Sequence, residues 1–285
     1  MDTQRTGRGV AQRREGMVIP MKALIITAPG INCDLELAQA FEAAGVTPEP
    51  VLLSALARDP SIVDRFGMIG LPGGFSFGDD IAAGRIMAAL IRERVYPALR
   101  SAIERRVPMI CPCNGFQIAV QAGLLPGPVD GSWPAEPTLA TVALSNNASA
   151  RFEDRWTRME IPSQTVCVWT QGLACEGEDS MLPCAHGEGR FVTTPTVLAA
   201  LESRGQVAMR YAASDNFNGS MGAVAGLCDA SGLVFGLMPH PERYTRFTQH
   251  PWWTRLPVAT RRTAPLGLRM FQAAVACARG ESVAR

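Results

Sequence analysis

Three short apolar runs each end in a glycine-bearing turn that leads into a helical stretch. This repeat constrains the fold more than any other feature of the chain. Lys22-Ala-Leu-Ile-Ile-Thr27 leads to Pro29-Gly30, and Met68-Ile-Gly-Leu71 to Pro72-Gly73-Gly74. Val107-Pro-Met-Ile-Cys111 runs into Cys113-Asn-Gly-Phe-Gln117. Short runs without polar alternation are the pattern of strands buried on both faces of a parallel sheet. After the first run, Leu37, Ala38, Phe41 and Ala44 form a helical stripe, with Asp34 as the expected cap and Gly45 as the stop. A longer helical region is expected from about Ile81 to Arg106, broken near Pro97, and a short helix after Cys113 stops at Gly123. Three strand-then-helix units predict an α/β fold, an open and mostly parallel sheet flanked by helices with right-handed crossovers.

The second half is more strand-like. The apolar runs Ala223 to Cys228 and Leu233 to Met238 flank Asp229-Ala-Ser-Gly232, which predicts a hairpin. The segment from Gly127 to about Ala212 is rich in Pro, Gly and Trp and gives no element order by pattern. Leu266, Leu268, Phe271, Ala274 and Val275 predict a final amphipathic helix. No repeat or composition shift divides the body, so residues 21–285 are expected to form a single domain. Residues 1–20 stand apart, with Arg5, Arg8, Arg13 and Arg14 among Gly, Gln and Thr. A disordered basic tail or an upstream translation start is expected there, with a basic interaction arm as the alternative. No apolar stretch follows these arginines, which argues against a secretory signal.

Apolar residues at 47% and charged residues at 19% exclude wholesale disorder. The 27 basic side chains balance 26 acidic ones, so no global field draws nucleic acid or an anionic membrane, and neither is expected as a partner. No run of about 18 apolar residues exists to form a membrane-spanning helix. The eight cysteines are scattered, with no CxxC pair and no histidine at zinc-site spacing. A reduced, cytoplasmic protein without a metal site is the expectation.

Cys113 lies where a buried strand gives way to a helix, at the sheet edge where open α/β folds bind ligands. A helix N-terminus lowers a thiol's pKa from about 8.5. Gly115 is expected to leave room for a substrate beside the sulfur, and the Asn114 amide can stabilise an oxyanion. This is the logic of a nucleophile elbow; a buried structural cysteine is the alternative. Among the three histidines, His240 follows an apolar strand in Pro239-His240-Pro241-Glu242-Arg243. In an extended segment residues two apart share a side. Glu242 can then hold one imidazole nitrogen and leave the other for Cys113; a surface turn with a chance acid is the alternative. His250 lies in Gln-His-Pro-Trp-Trp, in a segment that looks peripheral. In Pro72-Gly-Gly-Phe-Ser-Phe-Gly-Asp79 the paired glycines let the backbone approach a ligand. The loop lacks the Lys-Ser/Thr of a phosphate loop, so an oxyanion strand facing Cys113 fits better.

Together these pieces resemble the class I, triad-type glutamine amidotransferases, and among them the family of glutaminase subunits of phosphoribosylformylglycinamidine synthase. The resemblance runs through most of the chain. It rests on Pro29-Gly-Ile-Asn-Cys-Asp34, Pro72 to Asp79, Cys113 to Gln117, Gly123-Leu-Leu-Pro-Gly127, Asn147-Ala-Ser-Ala-Arg-Phe152, His186-Gly-Glu-Gly-Arg-Phe191, Asn218-Gly-Ser220 and Gly236-Leu-Met-Pro-His-Pro-Glu-Arg243. It implies a flavodoxin-like architecture, with Cys113 as nucleophile, His240 as base and Glu242 as orienter. It further implies oxyanion donors near Gly74 and Asn114, and substrate contacts at Gln117 and Gly73. Glutamine would be the substrate. This chain would bind no cofactor itself, and ATP and Mg would sit on a large synthase subunit, joined by a small bridging subunit. His186, Arg151 and Arg190 recur in the family motifs without an assigned role. One departure stands out: Cys111 occupies the position of the usual Gly two residues before the nucleophile, and Pro112 removes an amide. A different amidotransferase partner, a stand-alone Cys hydrolase or a catalytically silent binding protein are the competing readings.

Overall fold

The structure is a computed structural model, and residues 21–281 are described. The expected tail over residues 1–20 lies outside the described residues. The first half runs β1 (Lys22–Thr27), α1 (Asp34–Ala43), β2 (Thr47–Leu52), α2 (Leu53–Arg58), β3 (Met68–Gly70), α3 (Arg85–Leu90), α4 (Tyr96–Glu104), β4 (Met109–Pro112) and α5 (Asn114–Gln121). The second half adds β5 (Ala143–Ser145), β6 (Glu153–Glu160), β7 (Met181–His186), β8 (Arg190–Val192), α6 (Pro195–Ser203), β9 (Val207–Tyr211), β10 (Val224–Cys228), β11 (Val234–Leu237) and α7 (Leu266–Ala278).

Nine strands form one sheet in the order β2-β1-β3-β4-β11-β10-β9-β6-β7, and β5 pairs with β8 apart from it. The first five strands are parallel, in the flavodoxin-like order. The remaining four extend the sheet antiparallel. Side chains alternate between two buried layers. Leu24, Ile26, Ile69 and Met109 meet residues of α2 to α5, including Leu56, Met87, Leu99 and Phe116. Ala23, Ile25, Met68 and Ile110 meet Leu37 and Phe41 of α1 and Met270 and Phe271 of α7. Each large side chain so buried contributes about 1.5–3 kcal/mol relative to exposure.

The hairpin and the final helix form where the pattern places them. Two local expectations are corrected. Asp34 is the first residue of α1 and not its cap; Cys33 holds the cap position, without a side-chain cap bond. Asp34 instead places a carboxylate in the first turn, where the helix dipole favours it. The region after Ile81 is helical only from Arg85 and is interrupted by a π turn over Ile91–Val95. Pro97 opens α4, where its missing N–H loses no partner. Pattern reading also missed β2, whose sequence TPEPVL carries two prolines. Pro48 and Pro50 are two apart, so their missing donors fall on one side. Thr47 bonds to Met21 on the other side, and the prolines face the open sheet edge.

Candidate active site

β4 and β11 are parallel neighbours, with Pro112 aligned to Leu237. Cys113 follows one residue after this pair and His240 three after, so both emerge at the same carboxyl edge. Cys113 has φ 53° and ψ −111°, a left-handed-side conformation that a non-glycine residue adopts only under constraint. Its amide donates to the Leu237 carbonyl at 2.7 Å, and α5 begins at the next residue. This is the sharp strand-to-helix turn of a nucleophile elbow. Gly115 serves it differently from the expectation. A Cβ there would lie 1.9 Å from the Leu71 carbonyl oxygen, so the glycine is required for α5 to pack on the end of β3, and not to make room for substrate. Cys111 is buried in β4, where burial pushes its thiol pKa up. A small side chain at this position is accommodated inside the core.

His240 donates from Nδ1 to Glu242 Oε1 at 2.7 Å, with both side chains almost wholly buried. The link is made through a 3-10 turn over Pro241–Arg243, not through the extended segment expected. Burial opposes charge on the imidazole, but the Glu242 carboxylate and the Cys113 sulfur outweigh it and hold its pKa up at about 10. Nε2 of His240 is buried and has no hydrogen-bond partner among the described residues. Gly73 lies where the groups converge. A Cβ on it would sit 3.1 Å from His240 Cε1 and 3.3 Å from both Cys113 Cβ and Cys33 Sγ. Gly74 has φ 140° and presses on Ile31 and Asn32, where any Cβ would strike backbone.

Cys113, His240, Gly74 and Gln117 line one cavity of about 310 Å³. Asn114 is buried beside it, tying the glycine loop to the elbow. Its Oδ1 accepts from the Ser76 amide at 3.2 Å, and its Nδ2 donates to Asp79 at 3.3 Å and to Gln117 Oε1 at 2.8 Å. Gln117 Nε2 donates to the Glu188 carbonyl at 2.6 Å, so its amide is engaged at both ends in the wall of the cavity.

The motifs without a role build the opposite wall. Asn147 donates to the carbonyls of Arg151 and His186, and its Oδ1 accepts from the Gly189 amide and from His186 Nδ1 at 3.1 Å. Asn218 donates to the Gly189 carbonyl. His186 also lines the cavity, and burial together with the charge of His240 pulls its pKa down to about 4. It is a neutral, hydrogen-bonded wall residue. His250 itself is buried between Trp156, Tyr244 and Trp252, at the head of a segment whose residues 251–255 are exposed, and it belongs to a different part of the fold.

Sequence reasoning missed two residues of the site. Cys33 brings its Sγ within 4.8 Å of the donor atoms of His240 and Glu242, the one group among the described residues with metal-ligand proximity. Its partners are protein groups: Arg243 Nη2 donates to the sulfur at 3.0 Å. Cys33 and Arg243 are 210 residues apart in the chain, so no local pattern announces the contact. The one signal was that both lie inside the quoted motifs.

The sequence pattern of the CobB/CobQ-like glutamine amidotransferase domain matches residues 20–277. The phosphoribosylformylglycinamidine synthase subunit PurQ of Dehalococcoides mccartyi is 39% identical over 267 residues, covering 91% of this chain and 98% of that protein. The same subunit of Frankia casuarinae is 39% identical over 231 residues, covering 78% of this chain and 84% of that one. The solved structure of PurLQS from Thermotoga maritima contains a chain that superposes with a TM-score of 0.68 at 30% identity, covering 90% of this chain and 98% of that one. No helix among the described residues is long and apolar enough to cross a membrane. The chain belongs to the glutamine amidotransferases, in the family of the PurQ subunits of phosphoribosylformylglycinamidine synthase.

Proposed function

We infer that this chain is the glutaminase subunit of a phosphoribosylformylglycinamidine synthase, releasing ammonia for an ATP-dependent amidation in purine biosynthesis. The observation that carries the chemistry is the 2.7 Å bond from His240 to Glu242 beside the strained Cys113 elbow. The Cys113 thiol passes its proton to Nε2 of His240 as the sulfur attacks the side-chain amide carbon of glutamine, and the amides of Gly74 and Asn114 receive the oxyanion. Nε2 of His240 gives its proton to the leaving nitrogen, ammonia departs, and a γ-glutamyl thioester remains. Water, deprotonated by the now neutral His240, attacks the thioester; glutamate leaves, and the proton on His240 returns to the sulfur to restore the thiol. Glu242 fixes the ring and stabilises its charged form. Gly73 and Gln117 shape the substrate end of the cavity.

Free ammonia is of no use without an acceptor, so a synthase subunit is the partner. ATP and Mg act on that subunit, and this chain carries no cofactor of its own. A small bridging subunit completes the assembly, in the cytoplasm. Phe75 and Phe152, which line the cavity, are 47% and 55% exposed, with their rings 6.4 Å apart. An exposed aromatic pair beside a reactive site is surface that a partner would bury. Trapping tests the assignment: a glutamine-analogue electrophile should modify Cys113 alone, read by peptide mass spectrometry. An adduct on Cys111 or Cys33 would refute the choice of nucleophile.

A further inference from the structure

We propose that Arg243 receives the α-carboxylate of glutamine, and so selects the free amino acid over glutamine whose carboxylate is amidated or in a peptide bond. The inference rests on the glutaminase reading above.

A cavity that admits free glutamine must also accommodate the negative charge of its α-carboxylate. Asp79, Asp154 and Glu188 line this cavity and would repel that anion. Arg243 is the only lysine or arginine among the described residues lining it. His240 is committed to Glu242. His186 is neutral, with its pKa pulled down to about 4, so it offers no charge.

Arg243 is also held in place. Successive residues of a 3-10 turn rotate by about 120°, so Glu242 and Arg243 splay apart from one turn. Glu242 points into the triad, and Arg243 reaches the cavity. Nη2 donates to Cys33 Sγ at 3.0 Å, and Nε faces Glu36 at 3.6 Å. Burial, aided by the Glu242 charge, pushes the Cys33 thiol up to about 12, so it stays neutral and does not consume the guanidinium charge. Glu36 is 38% exposed and at long range, a weak competitor. Among the described residues, no acceptor engages Nη1, which is left for an incoming carboxylate. The Cys33 motif thereby gains a role as the prop of the specificity residue.

The experiment compares L-glutamine with its α-carboxamide analogue, glutaminamide, as substrates for the assembled synthase complex. Wild type should prefer glutamine by roughly 10- to 100-fold in kcat/KM, the range for a hydrogen bond to a charged group. Arg243→Ala should lose that preference, the ratio collapsing toward one, with the loss on glutamine falling mainly on KM. Arg243→Lys should restore part of it. An equal loss on both substrates, leaving the ratio at its wild-type value, would assign Arg243 to holding the triad and overturn the proposal. A wild-type complex that accepts both substrates equally would overturn it too. A complex that hydrolyses neither, while still aminating with added ammonia, would instead overturn the glutaminase reading and this proposal with it.

Discussion

Glu242 and His240 share one short hydrogen bond but have unequal roles in the proposed chemistry, and substitution should separate them. The imidazole moves the proton, and such transfer is typically worth about 10²–10⁴ in rate. The carboxylate orients the ring and favours its charge. We expect His240→Ala to lose the larger part of turnover and Glu242→Gln to be milder, measured as glutamine hydrolysis by the complex. Equal losses would show that the carboxylate does more than orient. The two cavity histidines also give opposite pH dependences. His240 has its pKa raised from 6.5 to about 10, so the folded state binds its proton more tightly. That stabilisation is complete below pH 6.5 and is lost as pH rises through 10. His186 has its pKa lowered to about 4, so the unfolded chain takes the proton first and stability falls from pH 6.5 toward 4. Chemical denaturation across pH should show both declines, and Glu242→Gln should flatten the alkaline one. An alkaline decline untouched by that substitution would contradict the pairing.

Among the elements, the junction of β4 with α5 is the most tightly determined. Gly115→Ala drives a methyl into the Leu71 carbonyl, and overpacking of this kind costs about 1–3 kcal/mol. Relief requires α5 to move, which carries Cys113 with it. We expect a lower melting temperature and a loss of glutamine turnover beyond what that melting explains. A stable, fully active variant would show that the elbow tolerates a shift of the helix. This part of the molecule was legible in the sequence because its signals are local: an uninterrupted apolar strand, a turn and a helix stripe sit within about a dozen residues. His240 and Glu242 were legible for the same reason, two residues apart after a buried strand. β2 was hidden by its two prolines, which only an edge strand tolerates. β6 was hidden because the sequence EDRWTRME places charges on an antiparallel strand with one exposed face, and β7 because MLPCAH is a short buried run interrupted by a proline. Cys33, Arg243 and the Asn147–His186 wall were not legible. Their contacts span 39 to 210 residues and exist only once the sheet is assembled.

At the scale of the whole molecule, β11 is the hinge of the architecture. It continues the parallel half beside β4 and begins the antiparallel half beside β10. The parallel half supplies the Cys113 elbow and the glycine loop, and the antiparallel half supplies the wall from Ala185 to Glu188. Chemistry therefore depends on both halves being in register, and the exposed aromatic pair on the cavity lining gives a partner a way to act on it. A partner that turns the Gly73-Gly74 backbone onto the oxyanion could change the rate by about 10²–10³, the effect of a single oxyanion donor. The most direct test of the account is glutamine-dependent amidation by this chain mixed with the synthase subunit, its substrate and ATP. The account predicts efficient glutamine turnover only in that mixture. It also predicts that Cys113→Ala abolishes amidation from glutamine while the same complex still aminates with ammonia. Full turnover by the isolated chain, or amidation from glutamine surviving Cys113→Ala, would contradict it.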